Sequence, residues 1–475
     1  MKKINLIILV FSLLVFLSSC SLLKPDKIDY NIESFDRLFD DTIQKSLTVK
    51  ITEAEWDNLD IVMLDYFAQY GNFRTDFYAK ADFVYQDPTG TFTVENIGFR
   101  TRGNMSRVRI QEDDGTLNLS NFKISFHHDF DLEENAELKN RTVFNLEELD
   151  MKANRNYEGT YITEKFSLDL FNAFDVFAAQ TTLANLYIEI GGISNYYGVY
   201  TLFEPIDEQF LKRRLEKDEN DGNLYKSLWQ NFGPAALRTI TDNNAIGIKD
   251  ESVNYRPAYD LKTNKKVPDH TELKDFINNI NSLNGDAFEA YIEDNFEVDM
   301  MLRLLAIGVL LGNPDDYRAM GNNYYFYQNS LSGKWMMIPY DYDHGLGQGW
   351  DGTPVFNNWT VGYDIYEWGN LNEAFTGQIG FSHPLSDKLL NIESYQLLYE
   401  SYLDELIDPA SDLFDYDVFY QKYLEQKNLY DSVLVNAMMH LPFDLRNTES
   451  YFTDKISDIQ AQLLHYQTYP GLRGF

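Results

Sequence analysis

"GNPDDYRAMGNNYYFYQNSLSGKWMMIPYDYDHGLG" occupies residues 312–347. "YYFYQ", the turn "NSLSG" and "KWMMIPY" have the pattern of a β-hairpin, with two aromatic-apolar runs around a short Asn-Ser-Gly turn. Just upstream, "VDMMLRLLAIGVLLG" (298–312) is apolar nearly throughout and reads as a buried helix. Asp315 and Asp316 follow that helix, and Asn322 and Asn323 open the hairpin. Asp341 and Asp343 follow it, two residues apart, before Gly345-Leu346-Gly347. The order is buried helix, loop with carboxylates, asparagines, hairpin, Asp-x-Asp and glycine turn.

A protein kinase uses that same order. Phosphoryl transfer asks little covalent chemistry of the protein. It needs hard oxygen ligands for a divalent cation and a carboxylate to orient the attacking hydroxyl. Asp341, Asp343 and Asn323 are the right ligand types, and Asp315 or Asp316 is the right base type. Asp and Asn are also common where hairpins end in solvent, so the rest of the chain has to support the reading.

Three segments supply cations. "FRTRGNMSRVRI" (99–110) carries Arg100, Arg102, Arg107 and Arg109 around Gly103-Asn104, an exception in a chain of net charge −34. A glycine turn bearing arginines suits a cover over phosphates. In "NFKISF" (121–126), Phe122, Ile124 and Phe126 alternate with Lys123. Lys123 therefore projects from the opposite face of its strand. "GNLYKSLW" (222–229) places Lys226 after a turn. Taken singly, each also reads as ordinary surface charge.

Composition narrows the class. The 475 residues, 44% hydrophobic and 15% aromatic, suffice for a large core and exclude a disordered chain. The acidic balance, with a pI near 4.5, repels nucleic-acid backbones, so no nucleic-acid partner is expected. Lys2 and Lys3 precede the apolar run Ile4–Leu17, which ends in Leu17-Ser18-Ser19-Cys20. This reads as a signal peptide whose end resembles a bacterial lipobox, rather than a plain secretory signal with an incidental cysteine, and Cys20 is the only cysteine. The expectation is an exported protein anchored to the cell membrane or outer membrane through lipidated Cys20, with no disulfide.

After the signal (1–20), residues 21–45 read as a tether and 46–145 as strands. "SLTVKI" (46–51) alternates, two strand runs flank Asp87-Pro88-Thr89-Gly90, and "FKISFHHDF" (122–130) alternates again. A helix is expected from near Tyr157 through "TYITEKFSLDLFNAFDVF", and a hairpin around Gly191-Gly192. "IDEQFLKRRLEK" (206–217) reads as an amphipathic helix, 216–270 as loops, 350–385 as irregular and aromatic-rich, and 393 onward as helices. Without repeats or a Pro-rich linker, this predicts one α+β body, 46–385 with a C-terminal helical part 386–475. "DENDGN" (218–223) places its glycine too early for an EF-hand loop. No Walker A loop, GxSxG elbow or HExxH motif occurs. Trp350, Trp359 and Trp368 offer a sugar platform only if exposed.

The ordered set "IGFRTRGNMSR", "FKISF", "LDMKANRNYEGTYITEKFSLDLF", "YIEIGGISNYYGVYTLFEPIDEQFL", "GNLYKS" and the 312–347 segment resembles the CotH kinase family, named for a spore-coat protein. The likeness covers roughly 46–350. It implies a divergent protein-kinase-like fold, β-rich first and helical last, using ATP with Mg²⁺ or Mn²⁺ to phosphorylate a protein of unknown identity. By position, Asp315 matches the catalytic-loop aspartate and Asn323 the asparagine of a His-Asn pair. Asp341 and Asp343 match the Asp-x-Asp, and Arg102 and Gly103 an Arg-Gly-Asn loop. Lys123 and Lys226 match basic strand positions, and Glu204 a strand glutamate. Asn322 stands where the family has His, and Pro314 where it often has an aromatic residue. The rival reading is a surface-anchored binding or structural lipoprotein on the same scaffold with activity lost.

Overall fold

The computed structural model describes residues 30–128, 130, 136–154, 159–347, 360–377, 380, 382–438 and 441–474. Cys20 and its lipobox, Tyr157, Trp350 and Trp359 lie outside them. Among the described residues no helix is long and apolar enough to cross a membrane.

The strands in chain order are β1 (Tyr30–Ile32), β2 (Ser46–Ile51), β3 (Ala79–Asp87), β4 (Gly90–Thr101), β5 (Phe122–Ser125), β6 (Arg141–Val143), β7 (Glu148–Ala153), β8 (Thr181–Ile190), β9 (Ile193–Phe203), β10 (Leu224–Ser227), β11 (Ile246–Gly247), β12 (Tyr259–Leu261), β13 (Tyr324–Gln328) and β14 (Trp335–Pro339). Seven of them close a barrel in the order β2-β3-β4-β5-β7-β9-β8, shut by parallel pairing of β2 with β8. Alternation explains it. Leu47, Val49, Phe83, Tyr85, Phe99, Phe122, Ile124, Leu149 and Met151 point inward and are buried. Their neighbours Arg100, Lys123 and Asp150 are left on the outer face, where they lie side by side in register.

Two expectations change here. The region 46–145 is not all strand, because Glu53–Tyr70 is a helix that adds Trp56, Leu59 and Met63 to the barrel core. Its start is capped by Thr52, whose hydroxyl accepts from Glu55 N at 3.2 Å, and left-handed Gly71 ends it. Nor is the chain a tether from Tyr30 on. β1 pairs with β6, and buried Lys45 donates to Leu38 O and Asp40 O and to the Thr182 hydroxyl.

The second half holds a five-stranded sheet, β11-β12-β10-β13-β14, and a larger core built around the helix Val298–Leu311. The hairpin predicted over 324–340 is β13 and β14, with Tyr324 opposite Pro339. The hairpin around Gly191-Gly192 is β8 and β9. The expected helix near residue 157 is described from Thr163 to Ala173. Stretch 216–270 is less loop-like than its polarity predicts, because β10, β11 and β12 are threaded through it. Long helices Glu393–Ile407, Tyr416–Leu434 and Thr448–Thr468 complete the C-terminal part, as the periodicity predicts.

Candidate active site

The helix Val298–Leu311 stops at left-handed Gly312, where an added Cβ would collide with the Tyr451 hydroxyl. The chain then turns through Asn313 and Pro314 to Asp315 and Asp316. Asp316 caps the short helix Tyr317–Met320, accepting from Ala319 N at 2.7 Å, and is 4% exposed. Left-handed Asn323 leads into β13, and β14 returns so that Tyr340 N donates to Asn323 O at 3.1 Å. The two ends of the hairpin therefore meet, and the loop bearing Asp341 and Asp343 lies against the loop bearing Asp315.

Across from it stands β7. Lys152 Nζ lies 2.5 Å from Asp341 Oδ1, 2.9 Å from Asp343 Oδ2 and 2.7 Å from Glu164 Oε2. Glu164 is in the first turn of the helix Thr163–Ala173. Oxygens of Glu164, Asp341 and Asp343 lie within 4.8 Å of one another. Burial raises the Glu164 carboxyl to about 8; the Lys152 ammonium opposes that, and the two aspartates add to it. Burial also works against Asp343, but Lys152 and then His344 outweigh it and hold that carboxyl at about 2. Lys152 itself is raised well above its ordinary value, because the three carboxylates overcome its desolvation.

Asp315 is held from both sides. Asn322 Nδ2 donates to its Oδ1 at 2.8 Å, and Asn323 Nδ2 donates to its Oδ2 at 2.9 Å. Burial raises Asp315 to about 6; Asn322 and His344 work against the shift, Asp341 and Asp343 with it. Of the two adjacent aspartates, Asp315 faces the Asp341–Asp343 loop, whereas Asp316 is committed to its helix cap.

The expected cations divide. Arg102 donates to the Tyr340 hydroxyl at 2.6 Å and lies 3.3 Å from Asp150 Oδ2. Lys123 lies 2.5 Å from Glu148 Oε2 and 3.1 Å from Asp150 Oδ1, on the outward face foreseen for it. Lys226 Nζ rests 4.1 Å over the Tyr340 ring and 5.5 Å over Tyr325. Burial, together with Arg102 and Lys262, pulls its ammonium down to about 7. Gly103 has φ +114°, and a Cβ there would meet Ser106 Oγ at 2.8 Å. Arg100 and Arg107 gather at Asp76, and Arg109 pairs with Asp60 and Asp113.

Glu204 lies apart from this cluster. It is 1% exposed, its oxygens accept from Arg213 and Arg214 at 2.6 and 2.7 Å, and Gln180 N donates to it. It is a buried ion-pair centre at the end of β9. Conversely, the pair Lys152 and Glu164 carries the geometry without having been singled out in the sequence. The available signal was a lysine inside the strand run "LDMKA" followed by a glutamate opening the next helix. That order matches the kinase pairing of a strand lysine with a helix glutamate. Trp368 is buried, so it offers no sugar platform.

An all-oxygen donor set beside a lysine suits a hard divalent cation carrying phosphates. Glu164, Asp341 and Asp343 supply it. Asn323 has both amide hydrogens engaged by Asp315 O and Oδ2, leaving its amide oxygen for the same use.

Comparison with known proteins agrees with the residue pattern. Residues 99–429 match the family model described as CotH kinase protein. The inner spore coat protein H of Bacillus subtilis (strain 168) is 26% identical over 185 residues, which is 39% of this chain and 46% of that protein. The match therefore spans less than half the length of that relative. A solved complex of HipA and HipB with operator DNA from Shewanella oneidensis MR-1 aligns over 68% of this chain and 58% of that one. At 14% identity and a TM-score of 0.25, that alignment carries no weight for fold or function. The chain belongs to the CotH kinase family, with the mixed α+β, kinase-like architecture, β-rich first and helical last, that its own residues foretell.

Proposed function

We propose that this protein transfers the γ-phosphate of ATP to a protein hydroxyl, with Mg²⁺ or Mn²⁺ as cofactor. The observation that supports the reading is Lys152 reaching Glu164, Asp341 and Asp343 within 2.9 Å. A bound divalent cation would supply charge neutralisation of the phosphate oxygens. Asp341 and Asp343 hold it, with Asn323 and Glu164 beside them. Lys152, oriented by Glu164, and Lys226 bind phosphate oxygens, and Arg102 with Gly103 borders them. Asp315 accepts the hydroxyl proton as the oxygen–phosphorus bond forms and ADP departs. Lipidated Cys20 tethers the protein outside the cytoplasm.

The test is a filter assay with purified residues 21–475, radiolabelled ATP and Mn²⁺ or Mg²⁺, beside Asp315→Ala and Asp341→Ala. Transfer to itself or to a generic protein, lost in both variants, is the expected result. No transfer with either metal, together with no ATP-dependent thermal shift, favours a binding lipoprotein on the same scaffold.

A further inference from the structure

Asn322 is joined to two partners by opposite ends of its amide. Its Oδ1 accepts from the backbone N–H of Trp229 at 2.7 Å, and its Nδ2 donates to Asp315 Oδ1 at 2.8 Å. A peptide N–H can only donate, so the amide oxygen must face Trp229 and the NH₂ must face Asp315. The flip state is set by chemistry. Trp229 is itself placed by the sheet, since β10 pairs with β13 with Ser227 opposite Tyr324, and Leu228 N donates to Ala258 O. Asn323 takes the second carboxylate oxygen of Asp315 at 2.9 Å. With a donor on each oxygen, rotation of the carboxylate about its Cβ–Cγ bond breaks one contact or the other.

We propose that Asn322 is a positioning residue that fixes the plane of the Asp315 carboxylate for the incoming hydroxyl. This role rests on the kinase reading above. Asn322 touches no substrate; it acts through Asp315. A side chain serves here if it presents one acceptor to Trp229 and one donor to Asp315. Neutral imidazole meets that requirement, and aspartate does not.

The test compares the wild type with Asn322→Asp and Asn322→His in the full chain, measuring kcat, the KM for ATP and the melting temperature. Asn322→Asp keeps the acceptor for Trp229 N–H but sets a second carboxylate against Asp315. Expected is a fall in kcat of about 100-fold, since small misplacements of reacting groups cost that much, with the KM for ATP unchanged and a melting temperature lowered by the added charge but still well above the assay temperature. Asn322→His is expected to recover most of the rate. Wild-type kcat in Asn322→Asp, a loss of rate that tracks a loss of ATP binding, or a loss of rate that Asn322→His shares in full, overturns the positioning role and leaves the kinase reading standing. A wild type that transfers no phosphate overturns both.

Discussion

Lys152 and Asp341 meet at 2.5 Å across 189 residues of chain, joining the barrel to the loop beyond the β13–β14 hairpin. The same ammonium also holds Asp343 and Glu164. Lys152→Met removes the cation that faces these three carboxylates. Phosphate transfer is expected to fall by at least about 100-fold, the scale of losing one fixed electrostatic donor. Lys152→Arg is not expected to restore it, because a planar fork cannot replace a compact ammonium. An active Lys152→Met would remove Lys152 from the chemistry.

Metal binding follows from the same cluster. Without Lys152 the three acids repel one another, so Lys152→Met is expected to melt below the wild type in chelator and to recover on adding Mn²⁺. Asp341→Asn with Asp343→Asn removes two of the three charged ligands, and the Mn²⁺-dependent rise in melting temperature should be lost. A ligand at about a hundred times its Kd stabilises by ~2.7 kcal/mol, which scanning fluorimetry detects. An undiminished rise in the double variant would place the metal elsewhere.

Glu204 is predicted to matter for stability alone. Its buried carboxylate pairs with both Arg213 and Arg214. Glu204→Gln leaves those guanidiniums uncompensated, a loss of about 3–5 kcal/mol for a broken buried pair. Urea unfolding should show it, while the KM for ATP of the folded protein stays at the wild-type value. A raised KM would return Glu204 to the nucleotide site.

Stability should also fall in acid through His383. Its ring is fully buried, and burial, then Arg318 and Arg238, pull the imidazole from 6.5 down to about 3. Between those values the unfolded chain binds a proton that the folded chain excludes. Folding stability is therefore complete above pH 6.5 and declines as pH drops toward 3. Each pKa unit corresponds to ~1.4 kcal/mol. The urea midpoint is expected to drop between about pH 7 and about pH 4.5, and to drop less in His383→Leu. Equal drops would assign the acid loss to the carboxylates.

The hairpin and the buried helix before it were legible residue by residue, because turn residues and apolar runs mark them locally. The helix Glu53–Tyr70 escaped notice because "DIVMLDYF" reads as another apolar run among strands. Thr52 with Glu55, and Gly71, were its visible start and stop. At the site, Asp315, Asn323, Asp341 and Asp343 come from one continuous segment, so spacing exposed them. Lys152 and Glu164 acquire meaning only through tertiary contact with that segment, which no local pattern encodes. Glu204 entered through the family resemblance alone, and no local pattern marked the ion pair it makes with Arg213 and Arg214, nine and ten residues on.

The closed barrel has a further consequence. Arg100, Lys123 and Asp150 stand in one cross-strand row on β4, β5 and β7. In an open sheet an outer strand can slip by one residue and exchange its two faces at the expense of a single seam. A ring has no outer strand, so a slip anywhere opens mismatches on both sides and finds no free edge on which to relax. The order of charges on the wall beside Lys152 is therefore protected by topology as well as by its own ion pairs, and single substitutions there should disturb chemistry before they disturb alignment.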